Sequence, residues 1–355
     1  MRTPYTTIDL FAGIGGIRKG FEAAGFSTLY AADNDAYCKA TYDLNFAKKG
    51  APLALQDVAA IDRASLPDFD ALLAGFPCQS FSVAGNKKGF EDTGRGDLFF
   101  ELMKIVEERE EEKKPRVVFL ENVKNLLTHD HGRTFVIINE RLANAGYHVR
   151  FSPLSSADYG DVPQARERVY IVGFKDKAAH DAFEFPEKLP RKKTILDVLE
   201  DGVDEKYYYR EGWLYDRIKN QGMKPGRVYQ WRRVHLREIK SGICCTLTAN
   251  MGMGGHNVPL VCDSKGLRRL TPRECLRLQG FPDTFKIPET IPESRLYKQV
   301  GNSVTVSVIE RIAKNIKKAL DAAEKAAEVE TYGRRIHKGK AERDHVAHKV
   351  AAHVA

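Results

Sequence analysis

Short apolar runs alternate with stretches of helical periodicity over about the first 175 residues of the chain. The runs have the length of strands, and the stretches between them carry apolar residues three or four positions apart, as one face of a helix does. The pattern predicts strands at 7–11, 26–32, 70–75, 116–120, 147–151 and 169–174, and helices at 17–24, 36–46, 98–106 and 134–145. This alternation is typical of the α/β class, with a doubly wound, mostly parallel sheet whose ligands bind beyond the carboxyl ends of the strands.

From about residue 175 the alternation stops, and Pro, Gly, Lys, Arg and Tyr become frequent without a clear period. This composition indicates a second, smaller domain of irregular and β structure. Helical periodicity returns at 271–278, where Thr271 is suited to be the N-cap, and again from 304 to about 327. We therefore expect a first domain at 1–175, a smaller domain at 176–284, a segment at 285–325 that returns to the first domain, and a basic tail at 326–355 that is a frayed helix or disordered.

The net charge of +8, from 56 Lys and Arg against 48 Asp and Glu, is concentrated in one place. The segment from Arg217 to Lys240 has eight basic residues and one acid, Glu238, with Tyr229 and Trp231 among them. It contributes eight minus one, or +7, and leaves only +1 for the rest of the chain. Such a cluster favours an anionic partner such as nucleic acid, although a solvated charged surface has the same composition.

Sequence features of membrane, secreted and metal-binding proteins are missing from the chain. It has no run of about 18 apolar residues, and its first residues lack the basic and apolar regions of a signal peptide, so we expect a cytoplasmic protein. The six cysteines include no Cys-x-x-Cys pair, so we expect neither a metal site nor disulfides.

A glycine-rich turn, Asp9-Leu-Phe-Ala-Gly-Ile-Gly-Gly, joins the first predicted strand to the first helix. It lets a ligand approach the backbone, but Arg18 takes the last glycine position of the dinucleotide pattern, so a pyrophosphate cofactor is not supported. Asp33, about twenty residues further on, is placed to accept hydrogen bonds from ribose hydroxyls. Asp57 is placed for an amino group of a base. Each aspartate alone also fits an ordinary helix cap, but together they outline an adenosine-shaped pocket.

Cys78 and Glu121 each follow a predicted strand and should meet at the same rim of the sheet. Cys78 lies in Gly75-Phe-Pro-Cys-Gln-Ser-Phe-Ser, where Pro77 fixes the backbone beside the thiol, and Glu121 lies in Leu120-Glu-Asn-Val. The setting suits a presented nucleophile, although a lone cysteine is more often a small buried apolar residue. A thiol with an ordinary pKa near 8.5 is mostly protonated at pH 7, so a nucleophile here needs a proton acceptor or a positive environment.

Arg166 and Arg168 lie in Gln164-Ala-Arg-Glu-Arg-Val and share one side of an extended segment, because side chains there repeat every two residues. Two adjacent guanidinium groups suit a phosphate, a carboxylate or a base carbonyl. A surface strand edge that carries arginine is the alternative explanation.

Six ordered motifs make the chain similar to the DNA cytosine-5 methyltransferases of bacterial restriction-modification systems. Beyond the four segments above, they are Arg269-Leu-Thr-Pro-Arg-Glu-Cys-Leu-Arg-Leu-Gln-Gly-Phe-Pro and Lys298-Gln-Val-Gly-Asn-Ser-Val. The resemblance covers about Thr7 to Lys317, nearly the whole chain. It implies a catalytic domain at 1–175, a target-recognition domain at 176–284, and an enzyme that protects host DNA from a cognate endonuclease.

The resemblance implies S-adenosylmethionine as the methyl donor. Phe11 would stack on adenine, Asp33 would bind the ribose and Asp57 the adenine amino group. Asn34 stands where the family often has a tryptophan, so one face of the adenine would lack that ring. The residues expected to bind the cofactor are Phe11, Ala12, Gly13, Ile14, Gly15, Gly16, Asp33, Asn34, Asp57, Val58, Gly75, Pro77, Leu98, Asn302 and Ser303.

The resemblance also implies catalytic roles. Cys78 would add as a thiolate to C6 of cytosine, which makes C5 nucleophilic. Glu121 would donate a proton or hydrogen bond at N3, Arg166 would hold the base carbonyl, and Arg168 would order a loop or a phosphate. Because the reaction uses both faces of the ring, the cytosine must flip out of the duplex, and residues 80–96 would close over it. Cys275, with apolar neighbours on the predicted helix at 271–278, is assigned to packing.

Double-stranded DNA is the implied partner, with no membrane and no obligate protein partner, and a monomer suffices. The residues expected to contact DNA are Gln79, Ser82, Arg232, Arg233, Thr246, Thr248, Gly254 and Gly255. Two alternatives stay open: a tRNA cytosine-5 methyltransferase with the same motifs, and a catalytically inactive DNA-binding homologue. A basic recognition domain of roughly 90 residues favours DNA, and the presence of Cys78, Glu121 and Arg166 favours an active enzyme.

Overall fold

The computed structural model describes residues 4–48, 50–77, 98–232, 235–253 and 257–354. Six of the predicted site residues lie outside these ranges: Cys78, Gln79, Ser82, Arg233, Gly254 and Gly255.

A mostly parallel sheet forms the centre of the first 175 residues. Its strands in the described part of the chain are β1 (Thr6–Leu10), β2 (Ser27–Asp33), β3 (Leu53–Leu55), β4 (Ala71–Ala74), β5 (Val117–Val123), β6 (His148–Ser155) and, after a two-residue strand β7 (Gln164–Ala165) outside the sheet, β8 (Glu167–Phe174). The order is β3-β2-β1-β4-β5-β8-β6. Of the seven described strands in this sheet, β8 alone runs opposite to the other six, so the expected doubly wound, mostly parallel sheet is confirmed.

Helices cover both faces of this sheet. They are α1 (Gly16–Ala23), α2 (Ala36–Phe46), α3 (Leu98–Glu107), α4 (Arg133–Asn144), α5 (Ser156–Tyr159) and α6 (Lys177–Ala182). In β4, Leu72 packs with the α3 and α4 side and Leu73 with the α1 side, and all four residues of the strand are buried. Burial on both faces explains why β4 is a continuous apolar run without polar alternation.

A smaller antiparallel sheet follows. After helix α7 (Trp213–Ile218), it contains β9 (Arg227–Arg232), β10 (His235–Glu238), β12 (Val258–Asp263) and β13 (Gly266–Arg269), in the order β10-β9-β12-β13, while β11 (Cys244–Cys245) pairs with β7. The expected irregular and β character of this region is confirmed. The apolar cluster of this region also contains Ile14, Tyr42 and Phe46, so its core is continuous with the side chains that pack beside the main sheet.

Three helices complete the chain: α8 (Pro272–Leu278), α9 (Glu293–Asn302) and α10 (Val306–Val354). Thr271 caps α8 as predicted, in a capping box with Glu274, and Cys275 is buried in the apolar core. In the described part of the chain, no helix combines the length and the apolar character that crossing a bilayer requires.

Helix α10 is longer than the sequence pattern predicts. Its buried face follows the expected spacing and lies against α1, where the lack of a side chain on Gly20 allows close approach to Ile309. That face ends at Ala323, yet the helix continues to Val354, past the expected end at about 327. The later residues are rich in Ala, Lys, Arg and Glu, and these favour helix without an apolar partner.

The carboxyl ends of β1, β4 and β5 meet at one rim of the main sheet. The order of the strands reverses between β1 and β4, which opens a crevice at this rim. The glycine-rich turn follows β1, Gly75 follows β4, and Glu121 lies near the end of β5. The fold therefore brings three of the predicted motifs together.

Candidate active site

The glycine-rich turn lies at the carboxyl end of β1. Gly15 has a φ of 81°, and a Cβ there would lie 2.4 Å from a carbon of the Phe46 ring. Gly13 has a φ of 53°, and no described atom lies within 4 Å of the position that its Cβ would take. The turn is therefore packed behind Gly15 and open in front of Gly13, where a ligand can approach the backbone.

Asp33 holds the open side of this turn. Its Oδ2 accepts a hydrogen bond from the Gly13 amide at 2.8 Å, and its Oδ1 accepts one from the Asp35 amide at 2.9 Å. Burial raises the pKa of the Asp33 carboxyl, and the two backbone hydrogen bonds oppose that rise. Each oxygen keeps a lone pair, so Asp33 can still accept hydrogen bonds from a bound ligand.

Asn34 and Asp57 lie side by side beyond Asp33. Asn34 Nδ2 donates to Asp57 Oδ2 at 3.2 Å, and Asp57 Oδ1 accepts from the Ala59 amide at 3.0 Å as the cap of a short 3-10 turn. Both side chains are exposed, which leaves them accessible to a ligand. Of the other residues predicted to line the pocket, Ala12, Ile14 and Val58 are buried, Phe11, Gly75 and Leu98 are half-buried, and Pro77 is exposed.

The last two predicted cofactor residues come to the same turn from the far end of the chain. Helix α9 ends at Asn302, which is exposed, and Ser303 follows. A Cβ on Gly16 would lie 2.7 Å from Ser303 Oγ, so Gly16 allows this close contact. The structure thus places residues 302–303 against the glycine-rich turn.

Glu121 faces the loop that leads to Cys78. A Cβ on Gly75 would lie 3.6 Å from Glu121 Oε2. The neighbouring Asn122 donates from Nδ2 to the Phe76 carbonyl oxygen at 2.9 Å, two positions before the cysteine. Sequence reasoning did not single out Asn122, although its place directly after Glu121 was an available signal. Its hydrogen bond joins β5 to the chain that carries the predicted nucleophile.

The carboxyl group of Glu121 is buried beside two arginines. Only 8% of the residue is exposed, and Arg168 Nε lies 3.1 Å from its Oε1. Burial raises the pKa of Glu121, while the charges of Arg168 and Arg166 oppose the rise. Glu121 therefore holds its proton to a higher pH than an exposed glutamate, as a proton donor must.

Arg166 is buried and bound to backbone. Its Nη1 donates to the carbonyl oxygens of Leu247 and Gly301, each at 3.2 Å, and its Nη2 donates to that of Ser303 at 2.5 Å. Burial and the nearby charge of Arg168 lower the pKa of Arg166 to about 9, so the group stays charged at pH 7. Its guanidinium group therefore joins two backbone segments that are far apart in the chain, one at residue 247 and one at 301–303.

The contacts of the two arginines are the reverse of the expected division. We expected Arg166 to hold the base carbonyl and Arg168 to order a loop, but Arg166 orders backbone. Arg168 contacts Glu121 and keeps 14% of its side chain exposed. Alternation along an extended segment shows that both side chains share a side, but it does not show which of them neighbouring segments cover.

The predicted DNA-contacting segment packs against this centre. Thr246 Oγ1 donates to the Ala165 carbonyl oxygen at 2.6 Å. A Cβ on Gly301 would lie 2.3 Å from the carbonyl carbon of Thr248, so the two backbones are in direct contact. Residues 246–248 therefore touch both the arginine segment and the C-terminal end of α9.

Arg232 lies at the end of β9, where it pairs with His235 of β10, and its side chain is exposed. The single acid of the basic segment, Glu238, lies 3.7 Å from Arg227. The exposed end of this hairpin therefore keeps a positive charge that the acid does not offset.

Comparison with known proteins decides the family. The profile described as C-5 cytosine-specific DNA methylase matches residues 5–318. The chain belongs to this family. It is a DNA cytosine-5 methyltransferase, which transfers a methyl group to C5 of cytosine.

Curated relatives agree with this assignment. The methyltransferase is 50% identical over 317 residues to the type II methyltransferase M.Bsp6I of Bacillus sp. (strain RFL6), covering 88% of this chain and 98% of that one. It is 36% identical over 330 residues to the type II methyltransferase M.HhaI of Haemophilus parahaemolyticus, covering 88% and 94%.

Solved structures show the same fold. The methyltransferase EhMeth of Entamoeba histolytica superposes with a TM-score of 0.71 at 20% identity, covering 90% of this chain and 99% of that one. The Dnmt2 methyltransferase of S. pombe gives 0.69 at 21% identity, covering 89% and 99%. At these identities the likeness concerns architecture alone.

Methyltransferases of this family use S-adenosylmethionine, and the residues at the rim fit that group. The open side of Gly13, the half-buried ring of Phe11 and the free lone pairs of Asp33 offer a backbone approach, an aromatic surface and acceptors for hydroxyl groups. The adenine ring, the ribose hydroxyl groups and the methionine part of S-adenosylmethionine require contacts of these kinds.

Asp9 is a buried acid that sequence reasoning left without a role. It is 0% exposed, and neither carboxylate oxygen has a hydrogen-bond partner among the described residues. Burial raises the pKa of Asp9 to about 7, although the nearby charge of Arg18 opposes the rise. Its place at the end of a strand buried on both faces, beside the glycine-rich turn, was the available signal.

Asp9→Asn should change how stability depends on pH. The folded-state pKa of about 7 exceeds the ordinary 3.8, so in the wild type this group's contribution to stability is lost as pH rises from about 4 to about 7. The shift corresponds to at most about 4 kcal/mol, and asparagine mimics the neutral acid. Urea unfolding at pH 5 and pH 8 measures the difference between the two proteins. Relative to the wild type, the free energy of unfolding of the variant should be higher at pH 8 than at pH 5. A difference between the two proteins that does not change with pH would contradict the raised pKa of Asp9.

Proposed function

We propose that this methyltransferase belongs to a type II restriction-modification system and methylates a flipped-out cytosine within a short specific DNA sequence. Protection of host DNA from a cognate endonuclease is the biological role that follows. The two relatives above are both named as type II methyltransferases, and each is matched over nearly its whole length. We further propose that the protein acts in the cytoplasm as a monomer.

The observation that carries the catalytic proposal is the convergence of Glu121, Arg168 and the Gly75–Pro77 loop at one rim. The loop continues directly into Cys78. A buried acid beside a nucleophile and a guanidinium group is what addition to an electron-poor ring needs.

The proposed mechanism assigns one task to each group. The Cys78 thiolate adds to C6 of the cytosine; once C5 has been methylated, solvent water takes the C5 proton and the C6–sulfur bond breaks, which returns the thiolate. Glu121 donates a proton or hydrogen bond at N3 and offsets the negative charge that develops as the thiolate adds. Arg168, with its partly exposed guanidinium group beside Glu121, holds the base carbonyl, while Arg166 keeps the surrounding backbone in place.

S-adenosylmethionine supplies an electrophilic methyl group when bound. We assign Asp33 to its ribose hydroxyls, Asp57 to the adenine amino group and Phe11 to one adenine face. The hydrogen bond from Asn34 to Asp57 at 3.2 Å would hold the Asp57 carboxylate for that contact. The turn at Gly13 and residues 302–303 would surround the methionine part.

Recognition is assigned to the second domain. The basic hairpin carries Arg232, and residues 246–248 approach the catalytic centre. Phosphate contacts from such arginines position a protein on the duplex, and contacts to base edges then read the sequence.

Charge reversal at Arg232 and Arg233 together should weaken DNA binding and flatten its salt dependence. Each lost phosphate contact lowers the slope of log K against log salt by about 0.9, so we expect a decrease of about 2. Fluorescence anisotropy at several salt concentrations measures this slope. Lys177→Glu, on α6 outside the basic segment, is the matched control and should leave it unchanged. An unaltered slope in the double variant would show that this segment is only a solvated surface.

The experiment that tests the proposed function is expression in a bacterium without cytosine methylation, followed by bisulfite sequencing and nucleoside mass spectrometry. We expect 5-methylcytosine in one short DNA motif and none in the host tRNA above background. Methylation of tRNA without DNA methylation would favour the tRNA enzyme, and scattered methylation without a motif would contradict the type II assignment.

A further inference from the structure

A buried pair of side-chain amides joins the arginine segment to the turn after α9. Gln164 Nε2 donates to Gln279 Oε1 at 3.1 Å and to the Leu278 carbonyl oxygen at 2.8 Å. Gln279 Nε2 donates in turn to the carbonyl oxygens of Val300 at 3.0 Å and Ser303 at 3.4 Å. Both glutamines are 0% exposed. Neither has a part in the chemistry described above.

The two amides also reach further segments. Gln164 Oε1 accepts from the Leu247 amide at 3.0 Å, inside the segment that approaches DNA. Gln279 Oε1 accepts from Thr305 Oγ1 at 3.1 Å, and Thr305 pairs with Ser156 Oγ at 2.7 Å. One glutamine thus holds the recognition segment, and the other holds the turn that carries the predicted cofactor residues.

The two side-chain amides form all of these hydrogen bonds in only one orientation of the amide groups. Rotating the Gln164 amide by half a turn would place its NH₂ group against the Leu247 N–H and its oxygen against the Leu278 carbonyl. A buried polar group without its partner is costly, so the arrangement resists small displacements of either segment.

Direct contacts beside the amide pair also join the recognition segment at 246–248 to residues 301–303. The backbone of Gly301 touches that of Thr248, and Arg166 donates both to Leu247 on the recognition side and to Ser303 on the cofactor side. A shift of the recognition segment must therefore be transmitted to the turn at 301–303 or break these hydrogen bonds.

We propose that Gln164 and Gln279 are positioning residues that couple target recognition to cofactor binding. DNA seated on residues 246–248 would hold Leu247, Gln164, Gln279 and the Ser303 turn in one arrangement, and this arrangement would favour the cofactor. Coupling between two sites is reciprocal and is commonly 5- to 150-fold in affinity. The inference rests on the proposed placement of DNA and cofactor at this site.

The test compares affinities for S-adenosylhomocysteine with and without duplex DNA containing the methylated motif, by isothermal titration calorimetry. The variants are Gln164→Met, Gln279→Met and the double substitution, because methionine keeps the volume and removes the polar atoms. The double variant removes both amides together, but the Leu247 N–H and the Leu278 and Val300 carbonyl groups still lose their partners, so urea unfolding of each variant is measured alongside and only folded variants are compared. Gln299→Met is the control, since this buried amide on α9 bonds Thr41 and lies outside the chain of hydrogen bonds.

We expect DNA to tighten S-adenosylhomocysteine binding at least fivefold in the wild type and in Gln299→Met. In the double methionine variant the tightening should fall to less than twofold, while affinity for DNA alone stays within twofold and the KM for the cofactor on DNA rises. The inference would be overturned if DNA tightened S-adenosylhomocysteine binding in the double variant as much as in the wild type. It would also be overturned if the double variant bound DNA and S-adenosylhomocysteine equally more weakly, or if DNA did not tighten binding in the wild type. A wild type that methylates no DNA would instead refute the proposed function.

Discussion

Replacing Cys78 with alanine should abolish methyl transfer, with kcat lower by on the order of a million-fold. Without the thiolate, C5 of cytosine is too weak a nucleophile to attack the methyl group, because only addition at C6 gives it enamine character. The segment Gly75–Pro77, which directly precedes residue 78 in the sequence, is bound to β5 by the hydrogen bond from Asn122 to Phe76, and the substitution removes neither partner. Transfer of tritium from labelled S-adenosylmethionine to plasmid DNA measures the loss.

Binding measurements separate a lost nucleophile from a lost fold. The alanine variant should keep its affinity for S-adenosylhomocysteine and for DNA within a few-fold of the wild type. Cys262→Ala, which removes a buried thiol from β12 of the smaller sheet, is the matched control and should keep nearly full turnover. Substantial turnover by Cys78→Ala, or equal losses in both variants, would refute the nucleophile assignment.

Glu121→Gln should lower kcat by about 10²- to 10⁴-fold, the range for losing a general acid. Glutamine keeps the shape and a hydrogen bond to N3 but cannot deliver a proton as charge develops on the ring. The KM for the cofactor should change little, because glutamine keeps the shape of the glutamate side chain and its packing against Gly75. Steady-state kinetics with varied cofactor and DNA separate the two effects.

The pH profile gives a second observable for Glu121. Burial raises the pKa of this carboxyl group, so kcat in the wild type should fall as pH rises through that raised value. The glutamine variant should lack this decline. Glu167→Gln, at an exposed carboxyl that pairs with Lys124 at 2.9 Å, is the control and should retain both the rate and the profile. A decline that persists in Glu121→Gln would assign it to another group.

Local chemistry in the sequence predicted most of the fold. The glycine-rich turn, the Thr271 cap and the apolar runs of the main sheet are each decided by neighbouring residues, and α2 has the predicted bounds of Ala36–Phe46. The full length of α10 was not predicted, because beyond Ala323 no apolar periodicity marks it and only helix propensity remains.

The candidate site divides in the same way. Glu121 and the Gly75–Pro77 segment share a rim because β5 and β4 end there. That Arg166 rather than Arg168 binds backbone depends instead on the carbonyl groups of residues 247, 301 and 303, which are far from it along the chain. The contact of Gly16 with Ser303 likewise depends on how α9 returns to the sheet. Local patterns do not contain such long-range contacts.

The most direct test of the central claim is a covalent complex with duplex DNA that carries 5-fluorocytosine at the methylated position. Fluorine replaces the hydrogen on C5 and cannot be removed as a proton is. The elimination that expels the thiolate is therefore blocked, and the cysteine sulfur should remain bonded to C6. With S-adenosylmethionine present, we predict a complex stable to denaturation, with peptide mass spectrometry placing the bond on Cys78. A complex on another residue, or none despite turnover on ordinary DNA, would contradict the mechanism.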